Sequence, residues 1–300
     1  MPQRPSAPKG GVGAWLDRFS HLAIVRLMVF VVVLIAALVA SKLVSNPFVP
    51  KAPSPLHQTA LALANLFSAA LLLGAYALTV LRLEKRPPSE IDPRSGAGLL
   101  VLGGAAGFGL MSLVYLALWA LGRVTVLPGT GVEGVIAALA AFFAAAMLEE
   151  LVMRAVVFRL VEEATGTTAA VIISAVLFGL LHAANPGATA VSVGAVALEA
   201  GVLFALAYAL TRNLWLCIGL HTGWNFAEGS LFGAQVSGAP TSQTLVRTTL
   251  AGPDLLTGGT FGPEASLIAV GLFVVASAIL GWVVVRRARW RPRMFRMRLA

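Results

Sequence analysis

Long runs of apolar residues, separated by short polar stretches, dominate the chain. A helix needs roughly 20 apolar residues to cross a bilayer, and eight runs come near that length. They cover residues 22–45, 56–82, 97–122, 133–160, 168–184, 188–211, 213–233 and 265–286. The runs are continuous in Ala, Leu and Val rather than alternating, which favours helices over the strands of a membrane barrel. The pattern therefore predicts an all-α, polytopic transmembrane bundle of about eight helices.

The interruptions divide the chain into five parts. Residues 1–21 are rich in Pro and Gly and predict a disordered N-terminus, and residues 22–132 hold the first three helices. Residues 133–233 hold the helices that carry polar residues. Residues 234–264, rich in Gly, Thr, Ser and Pro, predict an irregular extracytoplasmic loop. Residues 265–300 predict the last helix and an Arg-rich tail.

The composition agrees with a membrane protein. Hydrophobic residues make up 58% of the chain and charged residues 12%, whereas a soluble domain has about 25% charged residues. The backbone of such a chain must be satisfied within helices or a closed barrel. The single cysteine, Cys217, excludes an intrachain disulfide and a cysteine metal cluster, and its apolar surroundings predict a packing role.

The net charge of +9 comes largely from Lys and Arg near the helix ends. If the N-terminus is cytoplasmic, only Lys42, Lys51, Arg123 and Arg247 fall on external segments. The cytoplasmic set is Arg4, Lys9, Arg18, Arg82, Lys85, Arg86, Arg94, Arg159, Arg212 and the seven arginines from Arg286 to Arg298. The positive-inside rule thus predicts that both termini lie in the cytoplasm, and we expect the protein in the plasma membrane. The basic tail predicts contact with anionic membrane lipid and no nucleic-acid partner.

Three polar motifs interrupt the apolar runs of residues 133–233. They are Glu149-Glu150 with Arg154, Phe178 with His182, and His221 with Asn225. A charged side chain at bilayer depth is costly, so it usually faces the protein interior and marks function. Glu150 and Arg154 are four residues apart and share a helix face, whereas Glu149 points about 100° away. One arginine does not neutralise two glutamates, so Glu149 is the candidate for chemistry.

These side chains are sufficient for peptide hydrolysis. Glu149 and His182 can activate a water molecule, and His221 and Asn225 can donate hydrogen bonds to the oxyanion of a tetrahedral intermediate. No Ser or Cys nucleophile is paired with a histidine, since Cys217, four residues before His221, lacks other support. No cofactor is favoured. Zinc bound by Glu149, His182 and His221 stays an alternative, although the H-E-x-x-H pattern is absent.

Two further acids lie in apolar runs. We expect Glu199 to be either a protonated, hydrogen-bonded core residue or part of a water-filled cavity. We expect Glu228 to lie either at a helix end or at the rim of that cavity. Two other functions also remain open. An ion-coupled transporter would use such acids and histidines as a pathway, but would favour broken helices in symmetric halves, which the sequence does not show. A non-catalytic scaffold or immunity protein would not need a water-activating base.

Together the motifs resemble those of the CPBP family of intramembrane endopeptidases. This family includes the type II CAAX prenyl endopeptidases and the bacteriocin-processing and immunity proteins. Its pattern, E-E-x-x-x-R, F-x-x-x-H and H-x-x-x-N, occurs here in order on separate helices of residues 133–230. The resemblance implies an intramembrane protease whose substrate is a membrane-associated peptide or protein, prenylated CAAX-type substrates among them.

The same resemblance implies a general base, a structural ion pair and an oxyanion site. These roles fall to Glu149 with His182, to Glu150 with Arg154, and to His221 with Asn225. The family resemblance also favours a metal-independent glutamate mechanism over a zinc mechanism. Oligomeric state and substrate identity have no signature in the sequence.

Overall fold

The computed structural model describes residues 22–52, 54–94 and 96–291, most of them helical. In these ranges seven helices are long and apolar enough to cross a membrane. They are α1 (Ala23–Phe48), α2 (Pro55–Glu84), α3 (Gly96–Ala120), α4 (Val135–Thr165), α5 (Thr167–Ala184), α6 (Ala190–Thr211) and α8 (Leu267–Arg286). The predicted N-terminal disorder of residues 1–21 lies outside the described residues, as do residues 292–300 of the tail.

One more of the eight predicted helices remains, and it is called α7 because it lies between α6 and α8 in the chain. It begins as Leu214–Asn225 and continues without a break as Phe226–Leu231. Its motif residues His221 and Asn225, together with Glu228, make it more polar than the other seven helices. Nearly all of it is buried, so it runs through the core of the bundle. The prediction of an all-α polytopic bundle is confirmed.

The long loop 234–264 is more ordered than its composition predicts. Strand β1, Val124–Pro128, pairs antiparallel with strand β2, Val246–Leu250, so that Val124 lies opposite Leu250. A four-residue helix, Asp254–Thr257, follows β2. The expectation of an irregular loop was wrong here, because the Val, Thr and Leu of β2 favour a strand once β1 supplies its partner.

Helices α3 and α7 pack against each other through glycines. Gly103 and Gly107 on α3 face Gly219 and Gly223 on α7, and both pairs are four residues apart. A Cβ atom added at Gly107 would overlap the carbonyl oxygen of Leu220. Small residues at this spacing let two membrane helices approach to backbone contact. The glycines therefore fix the position of α7, which carries two of the motif residues.

Four of the described helices widen into π-helical turns, one of them at the end of α2, Val80–Glu84. The other three turns cover Leu151–Phe158 in α4, Ala197–Val202 in α6 and Phe226–Leu231 in α7. The first of these three follows Glu150 and the last follows Asn225 directly. Such turns are rare and occur often at functional sites, because one extra residue per turn changes the direction of the side chains that follow.

Ion pairs join the end of α2 to α4 and to the connection between α2 and α3. Arg159 lies 2.8 Å from Glu84, and Arg86 lies 2.7 Å from both Glu84 and Glu90. Burial alone would raise the pKa of Glu90, but hydrogen bonds donated by Arg86 and Tyr76 hold it below its usual value. Glu90 is therefore ionised at neutral pH, and these chain ends form one connected unit.

We expect Gly107→Ala to lower the thermal unfolding midpoint in detergent, because the new methyl group overlaps the α7 backbone. Overpacking of this kind costs about 1–3 kcal/mol. Gly109→Ala is the matched control on the same helix, since no atom lies within 4 Å of a Cβ atom there. Equal midpoints for the two variants would contradict the close α3–α7 contact.

Candidate active site

Glu150 and Arg154 form a fully buried ion pair on α4. Arg154 Nε lies 3.1 Å from Glu150 Oε2, and neither side chain has exposed surface. Arg154 Nη1 donates to Glu150 Oε1 at 3.2 Å. The structure thus brings together the two residues whose spacing indicates an ion pair, at a depth where either charge alone would be expensive.

The Arg154 guanidinium is held by three other groups. Its Nη2 donates a 2.7 Å hydrogen bond to the carbonyl oxygen of Ala200 on α6. Its Cζ lies 4.7 Å from the ring centre of Phe178 and 5.4 Å from that of Phe204. Cations are attracted to aromatic faces at such distances. Phe178 therefore belongs to the support of this arginine as well as to the second motif.

Glu150 also binds the third motif. His221 Nδ1 lies 3.0 Å from Glu150 Oε1, so the ring donates to the carboxylate through this nitrogen. The hydrogen bond points the opposite ring nitrogen, Nε2, towards Glu149. The sequence did not predict this contact, because Glu150 and His221 lie on separate helices and residue spacing within one helix does not show which helices are neighbours.

Glu149 points away from the ion pair and towards both motif histidines. Its Oε2 lies 4.0 Å from His182 Nε2 and 3.9 Å from His221 Nε2, and about a third of the side chain is exposed. His182 Nδ1 donates to the carbonyl oxygen of Phe178 at 2.8 Å, which leaves Nε2 to face Glu149. A separation near 4 Å is too long for a direct hydrogen bond but suits one bridging water.

A cavity of about 410 Å³ opens onto this cluster. Glu149, His182, His221 and Asn225 all line it. The opposite wall comes from residues 236–243 of the long loop and from the first turns of α2 and α4. All four residues predicted to be catalytic thus meet in one water-accessible space, with the ion pair buried directly behind them.

Further acids lie behind the histidines. Glu228, near the end of α7 and fully buried, accepts hydrogen bonds from Trp224 Nε1 at 3.2 Å and from the backbone N–H of Glu264 at 3.1 Å. Glu264 accepts from the Ser237 hydroxyl at 2.7 Å and lines a cavity of about 10 Å³ beside His182. Sequence reasoning missed Glu264 because it lies in the long loop, where an acid is unremarkable.

Glu199 and Cys217 lie outside the cavity that Glu149 lines. Glu199 is fully buried on α6, and neither carboxylate oxygen has a hydrogen-bond partner among the described residues. Glu199 is therefore a core residue, as one expectation had it, but the expected hydrogen bonds are absent among the described residues. The other expectation, a place in the cavity lining, was wrong, because helix α6 turns this side chain into the packed interior. Cys217 is buried, with its thiol 3.4 Å from the carbonyl oxygen of Phe204, which is a packing position.

The zinc alternative names Glu149, His182 and His221 as the ligands. Within the described ranges, no group of three His, Cys, Asp or Glu side chains is arranged to hold a metal ion. The Nε2 atoms of His182 and His221 lie 4.0 Å and 3.9 Å from Glu149 Oε2, which is wider than the separation of donor atoms that share one zinc ion at about 2.1 Å each. The contact between His221 Nδ1 and Glu150 does not argue against zinc, because ligating histidines commonly donate their other ring nitrogen to a carboxylate.

The geometry can be compared with known families. The family model of the Rce1-like type II CAAX prenyl endopeptidases matches residues 131–227. This segment is about a third of the chain and contains all three motifs, so the resemblance drawn from them is confirmed over these helices. The Rce1-like family is one of proteases, and with seven apolar helices of spanning length the chain is an integral membrane protein. No curated protein and no solved structure matches the chain.

We expect Arg154→Met to destabilise the protein by about 3–5 kcal/mol, because it leaves the Glu150 carboxylate buried without a counter-charge. Thermal unfolding in detergent measures the loss. Arg82→Met, an exposed arginine on α2, is the matched control and should melt like wild type. A double variant, Glu150→Leu with Arg154→Met, should recover part of the loss, since no unpaired charge remains. A single variant as stable as the control would contradict the buried pair.

Proposed function

We propose that the protein is an intramembrane endopeptidase with a glutamate-activated water. One observation carries the proposal. Glu149 meets two histidine nitrogens at about 4 Å on the floor of a water-accessible cavity, while its neighbour Glu150 is engaged by Arg154 and His221. A partly exposed carboxylate with no structural partner suits a general base.

In the proposed reaction, Glu149 takes a proton from a water molecule held between it and His182. The water oxygen forms a bond to the scissile carbonyl carbon, and the carbonyl π electrons move to the oxygen. His221, protonated on Nε2 as well as Nδ1, and Asn225 donate hydrogen bonds to this oxyanion. When the intermediate collapses, the C–N bond breaks and the proton held by Glu149 passes to the leaving amine.

The buried ion pair supports this chemistry from behind. Glu150 accepts from His221 Nδ1 and so fixes the ring that faces the oxyanion. Arg154 holds the Glu150 carboxylate in place. Donors that are held before the reaction stabilise developing charge without having to reorient.

Zinc remains the alternative mechanism. A metal ion would have to draw Glu149, His182 and His221 closer together than they lie here. No step of the proposed reaction depends on it, and a chelator added to the purified protein distinguishes the two mechanisms.

The substrate class follows from the location of the site. A membrane-associated peptide or protein can present an extended segment to a cavity at bilayer depth, whereas a soluble globular protein cannot. The name of the matched family points to prenylated CAAX-type substrates, and these form a subclass of the proposal. Basic residues gathered at one end of the bundle support a cytoplasmic location for both termini, and we place the protein in the plasma membrane as part of the same proposal.

The test compares membrane-associated peptides in cells that carry wild-type protein, Glu149→Ala or Glu133→Ala. Glu133 is an exposed acid just before α4, so its variant controls for loss of a carboxylate. We expect a set of uncleaved peptides to accumulate with Glu149→Ala only. Cleavage of the same peptides by purified wild-type protein should survive a metal chelator. No difference between the variants would support a non-catalytic scaffold instead.

A further inference from the structure

The two ends of the bundle differ strongly in positive charge. One end, here called the basic end, holds the α2–α3, α4–α5 and α6–α7 connections and the end of α8. Its basic residues among those described are Arg26, Arg82, Lys85, Arg86, Arg94, Arg159, Arg212, Arg286, Arg287, Arg289 and Arg291. The other end, here called the cavity end, has Lys42, Lys51, Arg123 and Arg247.

Contacts between helices show that the basic residues share one end. Arg26 pairs with Glu163 at 2.7 Å, which joins the start of α1 to the end of α4. Arg212, after α6, pairs with Glu162 on α4. The backbone N–H of Thr167, at the start of α5, donates to Arg291 after α8 at 3.0 Å. These chain ends therefore lie on the same side of the membrane.

The catalytic cavity lies at the other end. The polar residues of its lining, besides the motif residues, include Gln58 and Asn65 from the first three turns of α2, Asn185 after α5, and Ser242 and Gln243 of the long loop. Exposed Ser242 marks its mouth. Asn185 Nδ2 also donates to the carbonyl oxygen of Ser237 at 2.9 Å, which fastens the loop over the site. The lining residues belong to the cavity end.

The positive-inside rule gives this arrangement a direction. It counts Lys and Arg in short connections and gives little weight to acids, so the ion pairs at the basic end do not cancel the bias. All of these connections are short, and eleven basic residues against four place the basic end in the cytoplasm. We infer that the catalytic cavity opens on the extracytoplasmic face of the membrane.

This inference narrows the substrate of the proposed protease, and it rests on that proposed function. The scissile segment must lie outside the cytoplasm, in an exported peptide or external stretch that stays anchored to the membrane. The amide and hydroxyl groups of Gln58, Asn65, Asn185, Ser242 and Gln243 in the cavity lining suit the main-chain groups of an extended, uncharged segment. A polypeptide held only at the cytoplasmic face would not reach Glu149, so the inference restricts the prenylated CAAX-type subclass to substrates that are exposed outside the cytoplasm.

The orientation can be tested by labelling introduced cysteines, because the one native cysteine, Cys217, is fully buried and should not react. Single cysteines are introduced by Ser242→Cys at the cavity mouth and by Ser89→Cys at the basic end, both exposed serines. Intact and permeabilised cells are treated with a membrane-impermeant maleimide. Wild-type protein, with Cys217 alone, gives the background.

We expect the Ser242→Cys variant to be modified in intact cells and the Ser89→Cys variant only after permeabilisation. The reverse pattern, or equal modification of both in intact cells, would overturn the inference. Labelling reports the orientation alone, so its result is valid even if the protein has no protease activity.

Peptides that depend on Glu149 for cleavage provide the second readout. In cells that carry Ser242→Cys, maleimide treatment should make these uncleaved peptides accumulate relative to untreated cells of the same variant. Unchanged cleavage after treatment would show that the substrate enters elsewhere.

Discussion

The site depends on one buried ion pair. Glu150 and Arg154 lie without solvent contact in the middle of α4. Either charge alone at that position would destabilise the folded protein, because an unpaired buried charge has lost its hydration. Arg154 reaches α6 through the Ala200 carbonyl and contacts the rings of Phe178 and Phe204. Glu150 reaches α7 through His221. A single pair therefore ties together the helices that carry the three motifs.

This arrangement separates two adjacent glutamates into different tasks. Glu150 is fully engaged by Arg154 and His221, whereas Glu149 faces a cavity and two histidine nitrogens. The separation follows from helix geometry, because consecutive residues point about 100° apart. The glycine contact between α3 and α7 then holds His221 and Asn225 in register with α4. Packing and charge thus act together to leave one carboxylate available for chemistry.

The sequence predicts the helices well because length and hydropathy are local properties. Each predicted run contains one helix, and α7 was found although its polar residues weaken its apolar pattern. Strand β2 was missed, since its partner β1 lies far away in the chain. The same reason hides the Glu150–His221 contact, the position of Glu264 beside His182 and the end at which the cavity opens. All of these depend on which helices become neighbours, and spacing within one helix does not encode that.

The most direct measurement follows melting and peptide cleavage in the same purified samples of Glu149→Gln and Glu150→Gln. Both changes remove one charge with little change in shape. We predict that Glu149→Gln melts like wild type and has lost cleavage, whereas Glu150→Gln melts at a lower temperature because Arg154 is left without its counter-charge. Cleavage by Glu149→Gln at the wild-type rate would contradict the division of tasks between the two glutamates.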